Sequence, residues 1–349
     1  MDRLTDLLGH PGILIAALFS LPLFNLGVAA FLTWLLLAFR RARSAPPVAS
    51  DRFTDTVAGR YRPEVLTLSI GAIAVIVIYA VENIVRGYVL HLVDIVEWWQ
   101  YATPVFAVFL VVLLLLVVIA LRRRAPETTS RSTLRRTWSS FGSRAALIGT
   151  GGVAILLVAT TFGAGLASSA DDRRRFIYLS IPVPNTDISS LQLWFYGWSF
   201  GVPVLVCTAL LITGTWAVLH VSAIRPFMRA ETVAPESAER SGIATGTALL
   251  AAAGMLLALG GAWRFIARSG TASKLGVGDD PTMYDVIWKY AELAALAGWL
   301  APVAEIIGFV LLLLVASRLN RGRARHGDAS TSSAATDASV DDLLSGARR

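Results

Sequence analysis

Apolar residues in this chain gather in seven long blocks, near 12–39, 65–85, 101–121, 145–167, 193–221, 243–267 and 291–316, and polar residues collect between them. A hydrocarbon layer about 30 Å thick is crossed by about 20 helical residues, and every block reaches that length. The blocks lack the strict apolar-polar alternation of barrel strands. Lipid supplies no hydrogen bonds, so a helix is the form that satisfies such a backbone internally. The pattern predicts an all-α, polytopic integral membrane protein: a seven-helix transmembrane bundle over residues 1–325. Residues 326–349, rich in Ser, Ala, Thr and Asp, cannot bury a core and are expected to form a disordered cytoplasmic tail, with Val340 to Leu344 as its one docking patch.

Composition supports the same class. Hydrophobic residues make up 55% of the chain and charged residues 16%, with a mean hydropathy of +0.62, more apolar surface than a soluble domain of 349 residues can hide. The first block is too long for a secretory signal and is followed, not led, by Arg40, Arg41 and Arg43, so an uncleaved anchor is expected.

Arginine placement sets the expected orientation, because short cytoplasmic loops accumulate basic residues. The loops after the first and third blocks carry Arg40, Arg41, Arg43, Arg52, Arg60 and Arg62, then Arg122, Arg123, Arg124, Arg131, Arg135, Arg136 and Arg144. The loop after the fifth adds Arg225, Arg229 and Arg240, and the tail adds Arg318, Arg321, Arg323 and Arg325. All of these fit the cytoplasm, with the C-terminus inside and the N-terminus outside. One segment resists: Arg173, Arg174 and Arg175 fall in an outer loop beside Asp171, Asp172 and Asp187. The net charge of +7 sits at span ends, so anionic lipid headgroups, or a cytoplasmic protein at the basic loops or the tail, are the expected partners, and nucleic acid is not. Arginine outnumbers lysine, only Lys274 and Lys289 being present, as in GC-rich bacterial genomes; a bacterial cytoplasmic membrane is the expected location.

Outside the spans, Glu82 to Gln100 has the clearest organisation. Glu82, Asn83, Arg86, His91, Asp94 and Glu97 share one half of a helical wheel and apolar residues fill the other, which predicts an outer amphipathic helix lying at the interface or acting as a lid. His91 and Asp94 are spaced like metal ligands, but one His with two acids falls short of a site, and no metal is expected. Four histidines in the chain, none paired within facing spans, argue against haem; no cofactor is expected. The lone Cys207 reads as a small interior residue. Segments 44–62 and 126–144 place Phe53, Val57 and Tyr61, then Trp138 and Phe141, among arginines, as short amphipathic turns at the inner surface.

Ionisable groups inside spans are costly and therefore point to function. Glu305 lies near the middle of the seventh block with Pro302 just before it, and Asn25 lies at matching depth in the first block with Pro22 before it. The two proline-broken helices are expected to face each other across a polar pocket formed by Asn25 and Glu305. The structural alternative has Glu305 hydrogen-bonded to Asn25 or to a threonine such as Thr160, Thr161 or Thr208. Nearer the outer surface, Arg264 and Glu292 are expected to form an ion pair. Gly197 with Gly201, and Gly242 with Gly246, have the spacing of close helix contacts, inside the protein or with another copy.

No H-E-x-x-H, no phosphate-cradling G-x-x-x-x-G-K and no Ser-His placement occurs, so no catalytic residue is assigned and an enzyme is not expected. The two acids of Gly276 to Asp280 are too few for a calcium cage. Transport is the preferred reading, a permease component for a small solute or ion, acting alone or with a cytoplasmic partner. The alternative is a noncatalytic membrane protein of sensing, assembly or envelope organisation.

Overall fold

A computed structural model describes residues 18–19, 21–43, 52–85, 97–122, 137, 141–182, 190–227, 231–276 and 283–319. Among them, seven helices are long and apolar enough to cross a membrane, and the chain is a multi-pass membrane protein on that ground. They are α1 (Pro22–Arg43), α2 (Arg52–Ile84), α3 (Thr103–Leu121), α4 (Arg144–Ala167), α5 (Trp198–Ile224), α6 (Val233–Gly270) and α7 (Ala291–Ala316). The expected tail lies outside the described residues.

Three boundaries differ from the hydrophobic pattern. Helix α1 runs from Pro22, a residue suited to a first turn because it lacks the N–H of a helix interior, and residues 12–17 of the first block lie outside the described residues. Helix α2 takes in residues 52–62, expected as a connector. Val57 and Tyr61 are buried there, so their four-residue spacing marks a core-facing stripe. Helix α6 starts ten residues before its apolar block, at Val233, and carries Glu236 and Arg240 inside the protein. Finally, Trp194 to Gly197 precede α5 as strand and turn.

Strands correct the all-α expectation. Ser169–Ala170 (β1), Phe176–Ile181 (β2) and Leu191–Trp194 (β3) form an antiparallel sheet in the order β1-β2-β3. Lys274–Gly276 (β4) pairs with Met283–Asp285 (β5). Along β2, Ile177, Leu179 and Ile181 point inward and Phe176 and Ser180 outward, the two-residue period of a half-buried strand. The arginine triplet sits in the β1–β2 turn, where Arg174 adopts a left-handed φ of 59°. Asp171 accepts from the backbone N–H groups of Arg173 and Arg175 and pairs with the Arg175 guanidinium at 2.8 Å. Partial desolvation acts to raise the Asp171 pKa, but these bonds outweigh it and hold the carboxyl below its ordinary range.

Helix α6 is the axis of the bundle. Its most apolar stretch is 83% buried, against 17% for α1 and for α4. Small residues let the other helices approach it. A Cβ on Gly254 would lie 2.8 Å from Val108 on α3, and one on Gly308 of α7 would lie 3.2 Å from the Ala253 carbonyl. The glycine pairs of the sequence serve internal packing: Gly201 faces Thr161 of α4, and Gly246 faces Leu68 and Arg318.

At the arginine-rich end, a buried polar network ties α2, α5 and α6 together. Arg240, fully buried, donates through Nε to the Tyr61 hydroxyl at 2.9 Å and through its two terminal nitrogens to the carbonyls of Arg225 and Pro226. It also pairs with Glu236 at 3.2 Å and lies over the Phe227 ring. Arg225 pairs with Glu64 at 2.8 Å. Counted from sequence as loop cations, Arg225 and Arg240 instead fasten helices. Arg318 caps the assembly by donating to the Gly242 carbonyl.

Removing one partner of a buried, hydrogen-bonded charge pair costs about 3–5 kcal/mol. Arg240→Ala should therefore lower the thermal unfolding temperature in detergent markedly. Gly254→Val should do so through overpacking, by about 1–3 kcal/mol. Gly27→Ala, whose Cβ meets nothing within 4 Å, should leave unfolding unchanged or slightly raised.

Candidate functional site

Three helices bring their polar groups to one point within the span region. Glu305 on α7 is fully buried, and so is Asn25 in the first turn of α1. The Asn25 side-chain amide donates to Glu305 Oε2 at 2.6 Å. From α6, Arg264 donates through Nε to Glu305 Oε1 at 3.2 Å and through Nη2 to Oε2 at 2.6 Å, a two-pronged pair. Such a fork suits guanidinium better than any other cation.

Local sequence explains why the groups can meet. Because α1 begins at Pro22, the Phe19 carbonyl lies outside its hydrogen-bond ladder, and it accepts from both Arg264 (3.2 Å) and Asn25 (3.3 Å). Gly260, one turn before Arg264, leaves the space into which Glu305 projects: a Cβ there would stand 2.6 Å from Glu305 Cγ. Pro302 lies within α7 one turn before Glu305 and removes a donor from the helix at this level. Tyr79 of α2 packs edge-on against Phe309, the next turn of α7.

The pairing expected between Arg264 and Glu292 is replaced. Helices α6 and α7 run antiparallel, with Gly260 against Ala301 and Gly270 against Ala294. Glu292 is thus level with the end of α6, about two turns from Arg264. It is exposed and makes no ion pair among the described residues, and Arg264 reaches inward to Glu305 instead. The threonines offered as partners for Glu305 are engaged elsewhere or not at all. Thr161 bonds the Leu157 carbonyl and Tyr196, Thr160 accepts from Trp263 Nε1 at 3.2 Å, and Thr208 Oγ1 has no partner among the described residues.

The cluster is a buried ion pair joined by an amide. Glu305 is enclosed, while the Arg264 side chain keeps 29% of its surface exposed. Asn25 Oδ1 is buried without a hydrogen-bond partner among the described residues, so the cluster holds an acceptor that a donor could still satisfy. Of the proposed outer amphipathic helix, Glu82 ends α2 and Glu97 opens a turn leading to α3, whereas Arg86, His91 and Asp94 lie outside the described residues. No group of three or more His, Cys, Asp or Glu side chains gathers among the described residues.

A second feature went unseen in the sequence. Helices α4 and α7 both pack on α6 and leave between them a half-open cleft of about 920 Å³, reaching from Thr160 to Ser180 and Lys289 at the sheet-bearing end. The signal for it was present but weak: Gly163, Ala164 and Ala167 on α4 and Ala294 and Ala297 on α7 are small residues on facing walls. Beside it, burial pushes the Tyr196 phenol well above its ordinary pKa, with the hydrogen bond to Thr161 opposing. No protein-family model, no curated protein and no solved structure matches this chain.

Proposed function

We propose that the protein is a membrane transport component, a permease for a small solute or ion, working through the Arg264–Glu305–Asn25 cluster. The observation that carries this reading is a buried carboxylate held by a partly exposed arginine and an amide from three different helices. Stability alone does not account for it. Desolvating two charges costs several kcal/mol each, and an apolar core of the same volume is often as stable. In the proposed cycle an anionic group entering from the exposed side competes with Glu305 for Arg264. Helix α1 is the element that responds, since it packs chiefly on α7 and touches α2 only lightly. Asn25 and the Phe19 carbonyl would then sense which partner Arg264 holds.

In the same proposal the arginine-rich helix ends lie in the cytoplasm of a bacterial cell, the sheets lie outside, and the N-terminus is external, as the positive-inside tendency requires. Basic segments at the inner face would meet anionic headgroups or a cytoplasmic partner. A noncatalytic assembly role is the second reading. What favours it is the network around Arg240, which locks α2, α5 and α6.

Glu305→Gln should abolish or uncouple flux while the protein still inserts. The assay is anion-driven flux in proteoliposomes across a panel of chloride, acetate, phosphate and amino acids, with Glu292→Gln as the unaffected control. A Glu305→Gln protein that transports as well as the native chain removes the cluster from the mechanism. Orientation is checked in a Cys207→Ser background. A cysteine at Ser190 should react with an impermeant maleimide added to intact cells, and one at Ser143 only after permeabilisation; the opposite pattern inverts the topology.

A further inference from the structure

The cleft between α4 and α7 is built differently from a solute path. Its floor is Trp263 and Ile266 of α6, and its depth along α4, from Thr160 to Ala167, is about 10 Å at 1.5 Å per residue. Its lips are Leu166, 78% exposed, and Leu293, 64% exposed. Apolar side chains this bare on spanning helices face lipid, so the open side of the cleft gives onto the membrane and not onto water. Whatever fills it therefore enters sideways from the bilayer.

Among the residues that line the cleft, the one charged side chain is Lys289. Lys289 stands at the rim, exposed, with its ammonium 4.8 Å from the Tyr290 ring centroid and no ion pair among the described residues. It is one of only two lysines in the chain. Trp288 and Tyr290 flank it, and Ser180 supplies a hydroxyl on the opposite side. An amphipathic aromatic rim with a lysine is suited to the level of phospholipid headgroups.

We propose that this cleft is a specific site for an anionic phospholipid, one acyl chain lying between α4 and α7 and the phosphate at Lys289. It lies at the end of the bundle opposite the arginine-rich loops, so it is distinct from any general attraction of those loops for headgroups. It is also independent of the transport reading, since none of the residues that pair with Glu305 lines it.

Gly163 permits a clean test. It lines the cleft, and a Cβ there would meet nothing within 4 Å. A larger side chain can therefore leave the backbone here without a clash at its Cβ, toward the groove that Gly163 lines, and the helix gains by losing a glycine. The full-length protein is purified from nanodiscs of equal phosphatidylglycerol and phosphatidylcholine, and retained lipid is counted by native mass spectrometry. The native protein should keep one phosphatidylglycerol per chain, preferred about fivefold, the effect of one cation beside an anionic headgroup. Gly163→Trp should lose that lipid with an unchanged unfolding temperature. Lys289→Ala should keep a lipid but lose the preference, and Glu305→Gln should behave as native. Equal retention of the two lipids by the native protein, or undiminished retention by Gly163→Trp, overturns the site. A dimer that Gly163→Trp dissociates would assign the cleft to a second copy and overturn it as well.

Discussion

Hydrocarbon offers neither donor nor acceptor, so each charged side chain that this chain carries into the membrane needs a partner within the protein. Helix α6 answers that constraint twice. Arg240 near one end and Arg264 near the other, about 36 Å apart along the helix at 1.5 Å per residue, each recruit groups from two other elements. The rest of the bundle is arranged around them: α2 and α5 at the first, α1 and α7 at the second. Between the two arginines α6 is Ala- and Gly-rich and almost wholly buried, which lets neighbouring backbones close in and align the two clusters.

The clusters differ in kind. Around Arg240 the side chain is entirely enclosed and its donors are met by Tyr61, Glu236 and two backbone carbonyls. A buried network so densely bonded rigidifies, although Arg225 Nε within it has no partner among the described residues. Around Arg264 the side chain keeps 29% of its surface exposed, and Asn25 Oδ1 has no hydrogen-bond partner among the described residues. That cluster also depends on α1, one of the two helices least embedded in the bundle. Full enclosure of the arginine at one end and its partial exposure at the other is the contrast that makes the second cluster the candidate for function and the first a clamp.

Which of the expected residues meet and which do not both trace to how position along a chain converts to depth. Asn25 and Glu305 were chosen because each lay near a proline inside an apolar block, and they lie 2.6 Å apart. Glu292 was matched to Arg264 by the same counting and failed, because the stagger of two antiparallel helices is set by which small residues interlock, Gly260 on Ala301 and Gly270 on Ala294. The strands were hidden for a related reason. Trp194, Phe195 and Tyr196 prolong an apolar block, and hydropathy does not register the turn at Gly197, whose Cβ would strike the Phe176 carbonyl.

Residues alone determined the class: seven stretches long enough for the bilayer, the asymmetry of arginine about them, and the presence of a costly acid in the last. These are properties of length and transfer free energy, which accumulate along a chain without reference to neighbours. Tertiary structure alone decided that Arg264 belongs to Glu305, that Arg240 is an interior clamp, and that a cleft opens between α4 and α7. Each of these depends on the rotation and stagger of helices far apart in sequence, which packing of small residues dictates and periodicity does not record.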